Sequence, residues 1–187
     1  MKFRILTTVL LSLFLSNSWA GPIFIICYDF GCKSHQSVEF NADQWHKISA
    51  LFTSVQNADD EKQSLRKAIA LMETFSGELI GTSLDVGRNY SGSVIPKQMD
   101  CIDESTNTFQ YLHAIEGLGL MKWHSVGLKK RRIVWFISHW TAVVEETITK
   151  QKFAIDSWYR DNGEKPYIQL LVNWQAEKEF LTLHNPD

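Results

Sequence analysis

Cysteine and proline are scarce in this chain, at three and four of 187 residues. An odd cysteine count excludes a fully paired disulfide framework and leaves at least one thiol over. No Pro/Gly/Ser-rich linker, charge block or internal repeat divides the sequence. An excess of one charge sign is also missing. The formal net charge is −2, and without Lys2 and Arg4 the balance is 17 basic against 21 acidic residues, or −4. The one basic run, Lys129-Lys130-Arg131-Arg132, is too short to track a phosphate backbone, so no nucleic-acid partner is expected. It reads as a solvated turn between strands, or as a contact for an acidic substrate segment.

A long apolar stretch occurs near the start. Lys2 and Arg4 give a positive beginning, residues 5–15 are mostly apolar, and Ser18-Trp19-Ala20 leads to Gly21. This is the layout of a cleaved secretory signal over residues 1–20, with an apolar part too short to span a bilayer comfortably. No stop-transfer pattern follows, and Cys27 lacks a lipoprotein-type cleavage pattern. The expectation is a periplasmic or secreted protein with no stable membrane span after cleavage. Residues 21–187 then suit a single domain with a substantial core. The sequence is silent on oligomeric state.

In an oxidising compartment, Cys27 and Cys32 are the expected disulfide, five apart with Gly31 between them to allow a tight turn. Cys101 is then the remaining thiol; a bridge to Cys101 instead would remove it as a nucleophile. Cys27, Cys32 and His35 do not have the spacing of a zinc site.

The apolar pattern predicts a strand over residues 23–28, and a helix over 41–55 with Asn41 as N-cap and Trp45, Ile48, Leu51 and Phe52 on one face. A second helix runs from Asp59 or Asp60 past Glu73, with its end near Gly77. Residues 81–97 read as a loop, and 103–115 as a helix closed by Gly117 and Gly119. Strands follow over 120–126, 133–138, 139–147 and 151–155, then a turn at Asn162-Gly163 and a closing helix over 174–183. Helices first and antiparallel strands afterwards indicate an α+β fold.

Chemistry concentrates on three residues. Cys101 stands at the start of the third helix, where exposed N–H groups and the helix dipole favour a thiolate and offer oxyanion donors. Asp100, Asp103 and Glu104 oppose that ionisation, so a nearby imidazolium must supply much of the activation. His139 opens a half-buried strand and Asp156 ends the next, where a carboxylate can fix the imidazole tautomer. Gln98 is a candidate oxyanion donor by proximity. Trp140 and Trp158 flank the pair and serve as cleft wall or core. His46, His113, His124 and His184 are scattered and read as packing or surface residues. The acidic string could attract calcium, but one local cluster does not fill the six to eight oxygen ligands that ion prefers, so no cofactor is predicted.

Asp100-Cys101-Ile102-Asp103-Glu104 at a helix start, His139-Trp140 opening a strand and Ile155-Asp156-Ser157-Trp158 closing the next resemble the transglutaminase-like branch of the papain-like fold. The likeness spans residues 100–158. It implies N-terminal helices and a nucleophile helix packed on an antiparallel sheet. It also implies Cys101 as nucleophile, His139 as base and Asp156 as orienter. The activity implied is that of an exported cysteine peptidase or amidase acting on a protein or peptide through a thioester, with acyl transfer to an amine as a variant. Some exported bacterial members bind calcium beside the catalytic cysteine. A non-catalytic binding or accessory module on the same fold is the alternative function.

Overall fold

In the computed structural model, described here for residues 21–90, 94–134 and 136–177, each of the three long helices starts at a side chain able to cap it. The leader expected over residues 1–20 lies outside these described residues. Helix α1 (Ala42–Ala50) begins at Asn41, which accepts from the Gln44 amide while Gln44 returns a bond to the Asn41 amide. Helix α2 (Ala58–Ile80) begins at Asn57, with Asp59, Asp60 and Glu61 in the first turn complementing the helix dipole. Helix α3 (Cys101–Gly117) begins at Asp100, which accepts from the Ile102 and Asp103 amides and completes a capping box with Asp103. It starts two residues before the sequence-based boundary.

Helix α2 does not stop near Gly77 but continues to Ile80. A Cβ on Gly77 would meet Asn162 Oδ1 at 2.7 Å and Ser83 Oγ at 2.9 Å, so this glycine marks a close approach within the helix rather than its end.

Strands β1 (Ile23–Tyr28) and β2 (Ser34–Glu39) form an antiparallel hairpin. The second strand was not legible, since Val38 is its one fully buried residue and its neighbours are polar. A four-stranded antiparallel sheet follows in sequence order: β3 (His124–Val134), β4 (Ile137–Glu146), β5 (Lys152–Asp156) and β6 (Tyr167–Leu170). The basic run is not a turn. It lies within β3, where Lys130, Arg131 and Arg132 pair with Thr141, Trp140 and His139 of β4. The chain turns at Phe136, inside the stretch expected to be a strand. An edge strand such as β3 tolerates charge along its length because part of it faces water. Helix α4 (Leu171–Ala176) starts earlier than the predicted closing helix, whose residues beyond 177 lie outside the described part.

The main core joins both sheets through α3. Phe24 and Ile26 of β1, Leu65, Ile69 and Met72 of α2, Leu112 and Ile115 of α3, and Ala142 and Val144 of β4 are all buried in it. The other face of the large sheet is covered by α4, where Leu171 and Trp174 pack on Val143 and Ala154. Burial of each large side chain of this kind stabilises by roughly 1.5–3 kcal/mol, enough to hold α3 firmly between the two layers. The architecture is mixed α+β, with four helices and two antiparallel sheets among the described residues. No helix among them is long and apolar enough to cross a membrane.

Candidate active site

Helix α3 delivers Cys101 to the place where β4 begins and β5 ends. The side chain is 8 % exposed and packs with Trp158, Tyr159, Tyr167 and Trp140. Its thiol donates to the Ser138 carbonyl at 3.6 Å and receives the Trp140 backbone N–H, so the main chain on both sides of His139 holds the sulfur.

Alternation along β4 separates the side chains. Trp140, Ala142 and Val144 face the α3 side, whereas Val143 packs on Trp174 and the His139 ring lies 5.6 Å from that indole. Trp158 and Tyr159 complete an aromatic surround, with ring centroids 4.8 and 5.5 Å from the imidazole. His139 Nε2 and Asp156 Oδ2 are 2.6 Å apart, and Trp174 Nε1 donates to the same oxygen at 2.7 Å. The indole was missed in the sequence, where no spacing links it to Asp156. Nε2 is engaged by the carboxylate and Nδ1 is the ring nitrogen turned away from Asp156, while the thiol's own bond goes to the Ser138 carbonyl and not to the imidazole.

The electrostatics run against a resting thiolate. Burial pushes the Cys101 thiol up to about 11, Asp100 and Asp156 add to the rise, and the Trp140 N–H opposes it. The helix start offsets this only in part: the Cys101 N–H lowers the thiol's pKa, while Ile102 and Asp103 donate to the Asp100 side chain and Glu104 donates to the Asp100 carbonyl. The N–H groups of Cys101 and Trp140 both bond the sulfur, which makes them the candidate donors for an oxyanion formed there. Gln98 is not such a donor. Its Nε2 bonds the Leu84 carbonyl at 2.7 Å, and its Oε1 accepts from Val86 and Asn89. It holds the loop whose Asn89 carbonyl accepts from Trp158 Nε1 and whose Tyr90 ring meets the Trp158 indole at 4.8 Å.

Behind α3 lies a set of buried carboxyls contributed by Glu73, Asp85, Asp103 and Glu104. Burial raises Glu73 to about 8, Asp85 to about 7 and Asp103 to about 6, and it raises Glu104 as well, with Glu73 and Asp85 adding repulsion. These groups also support backbone: Asp85 accepts from Met99 N at 2.6 Å and Glu73 from Gly163 N at 3.4 Å. Asp100 and Asp103 are engaged by helix-start amides, and Asp103 also accepts from Cys32 N. Among the described residues one close trio of ligand-type side chains occurs, Cys27, Cys32 and Asp103, and its two sulfurs are joined in a disulfide.

The other described histidines lie away from this centre. Burial opposes ionisation of Glu61, but His124 and three backbone N–H groups outweigh it and hold the carboxyl below its ordinary range. That pair anchors the start of β3. Basic side chains lie around Trp140 instead. Lys129 Nζ and the Arg131 guanidinium lie 5.8 and 5.9 Å from the Trp140 ring, and Lys129 also bonds Thr106 of α3. In comparisons with family models, curated proteins and solved structures, nothing matches this chain.

Proposed function

We propose that this chain is an exported cysteine-dependent amide or peptide hydrolase of the transglutaminase-like, papain-like kind. The observation that carries the reading is the 2.6 Å bond between His139 Nε2 and Asp156 Oδ2, formed beside the main-chain segment that holds the Cys101 thiol. In the reaction, the Cys101 thiol turns from the Ser138 carbonyl toward His139 Nδ1 and loses its proton there as the sulfur attacks the amide carbon. Asp156 stabilises the imidazolium, and the proton then passes to the leaving amine as the C–N bond breaks. Water, deprotonated by the same imidazole, releases the acyl group from the thioester; an amine in its place gives acyl transfer. The protonated resting thiol means that base and nucleophile act together in the attack, rather than from a standing ion pair. The Cys27–Cys32 disulfide supports export to an oxidising compartment. Lys129 and Arg131 lie around Trp140, whose ring packs against the cluster that holds Cys101, and this positive side of the site favours substrates with acidic side chains near the scissile amide.

A second reading, a non-catalytic binding module, is favoured by the raised thiol and its burial. Turnover of fluorogenic peptides and covalent trapping by a peptide aldehyde separate the two. The hydrolase reading predicts both, and Cys101→Ala abolishes them. Turnover that survives in Cys101→Ala, or a folded protein that neither turns over peptide amides nor forms the adduct, would overturn it.

A further inference from the structure

The loop between β1 and β2 has a backbone that L-residues rarely adopt in succession. Asp29, Phe30, Gly31 and Cys32 all have positive φ, at 66°, 65°, 73° and 58°. In this region Cβ crowds the following carbonyl, and non-glycine residues normally visit it singly. A consecutive run persists only where its surroundings over-determine it. Here the Cys27–Cys32 disulfide closes the run into a single turn.

The turn holds the chain on both sides of Cys101. Asp29 N donates to the Gln98 carbonyl at 2.9 Å, and the Asp29 side chain accepts from Lys97 N at 3.1 Å. On the far side, the Phe30 and Cys32 amides both point at Asp103, with Cys32 N 2.5 Å from Oδ1. Asp103 passes that restraint to the helix start, because its Oδ2 accepts from Asp100 N at 3.2 Å. Further along α3, Asn107 bonds the Cys27 amide and carbonyl at 2.7 and 3.0 Å. The segment from Cys27 to Cys32 therefore brackets residues 97–107 with Cys101 in the middle.

We propose that this disulfide-closed left-handed turn is a redox-released clamp: it positions the start of α3 through Asp103, and its reduction frees that turn of helix and opens Cys101 to reagents. The proposal deepens the hydrolase reading by giving its thiol a control, and it rests on that reading for its biological consequence. The reductant is a dithiol. Its thiolate attacks the sulfur of Cys32, the less buried partner, and displaces the Cys27 thiolate, which takes up a proton. The second thiol of the reductant then closes its own disulfide and releases Cys32 as a thiol. Two electrons and two protons pass from dithiol to protein.

The test compares the oxidised protein, the protein reduced with dithiothreitol and Cys27→Ser/Cys32→Ser, with Asp103→Ala examined in the oxidised state. Carbamidomethylation of Cys101 is followed against pH by peptide mass spectrometry, together with amide exchange. On reduction, Cys101 labelling at pH 8 is expected to rise at least tenfold, with its apparent pKa falling from about 11 toward the ordinary thiol value. Exchange should quicken at residues 101–104 and stay unchanged in the middle of α2. Asp103→Ala should reproduce both effects with the disulfide intact. The clamp is overturned if Cys27 and Cys32 become labelled while Cys101 and its neighbours do not change. It is equally overturned if all amides exchange together, since that is global unfolding. These readouts need no turnover. A protein that hydrolyses nothing but shows the reduction-dependent change removes the hydrolase reading and leaves the clamp; the converse removes the clamp alone.

Discussion

His139 and Asp156 are joined through Nε2 and Oδ2 at 2.6 Å, and both side chains are almost completely buried. The other carboxylate oxygen, Oδ1, has no hydrogen-bond partner among the described residues. Asp156 thus holds the imidazole through one oxygen, which Trp174 also restrains. Asp156→Asn keeps the shape but offers either a neutral acceptor or an N–H donor at that point. It is expected to lower kcat/KM by about 10²–10⁴-fold while the protein stays folded, as tautomer control is lost. Steady-state kinetics beside a thermal melt check this; an unchanged kcat/KM would remove Asp156 from the mechanism.

Stability should fall as pH rises from about 4 to 8. Glu73, Asp85 and Asp103 keep their protons in the folded state up to about 8, 7 and 6, whereas the unfolded chain releases them near the ordinary carboxyl range of about 4. Across that interval the folded state binds more protons, so their contribution is full below about 4 and is lost as pH rises through the folded values. Glu104→Gln takes one carboxyl out of the set. It should raise the urea midpoint at pH 8 and change it little at pH 5. Midpoints that climb steadily from pH 5 to 8 in the parent protein would contradict this account.

Charge around Trp140 should appear in substrate choice. Lys129→Ala/Arg131→Ala is expected to raise KM for peptides with Asp or Glu beside the scissile amide by about 3–10-fold, with little change in kcat. Added salt should shrink the difference, because exposed charges are screened over about 10 Å at 0.1 M. Equal losses on acidic and neutral peptides would indicate a packing role around Trp140 instead.

Gly87 lies where the loop presses against the segment after Asp156. A Cβ there would come within 2.8 Å of the Arg160 and Tyr159 backbone, and the adjacent Arg88 amide bonds the Trp158 carbonyl at 2.6 Å. Neither backbone can move without shifting the indole beside His139. Gly87→Ala should therefore cost about 1–3 kcal/mol of stability and raise KM, as measured by urea unfolding and kinetics.

Much of the candidate site was legible because its signals are local. Asp100 and Asp103 mark a helix start by their own hydrogen bonds, which places Cys101 at its first position, and the apolar stretches around His139 and Asp156 mark strands. What was not legible depends on distant contacts. Strand β2 carries little apolar pattern because its stability comes from pairing with β1. The basic run looked like a turn because nothing in four successive cations reveals an edge strand with a paired neighbour on one side. The thiol's upward shift was foreseen from the neighbouring acids, but burial beneath Trp140 and Trp158 is the larger cause, and burial is set by the fold. The left-handed turn at 29–32 shows one glycine for four unusual residues, so composition alone could not reveal it.

The indole of Trp174 imposes an order of completion. During synthesis from the N-terminus, thiol, imidazole and carboxylate all emerge before the residue that shares Oδ2 with His139. A nascent chain ending short of α4 holds Cys101, His139 and Asp156 without the donor that restrains the carboxylate and without the wall that covers β4 and β5. Full restraint of the carboxylate is therefore a late event in the life of each molecule, reached after the last described helix has docked.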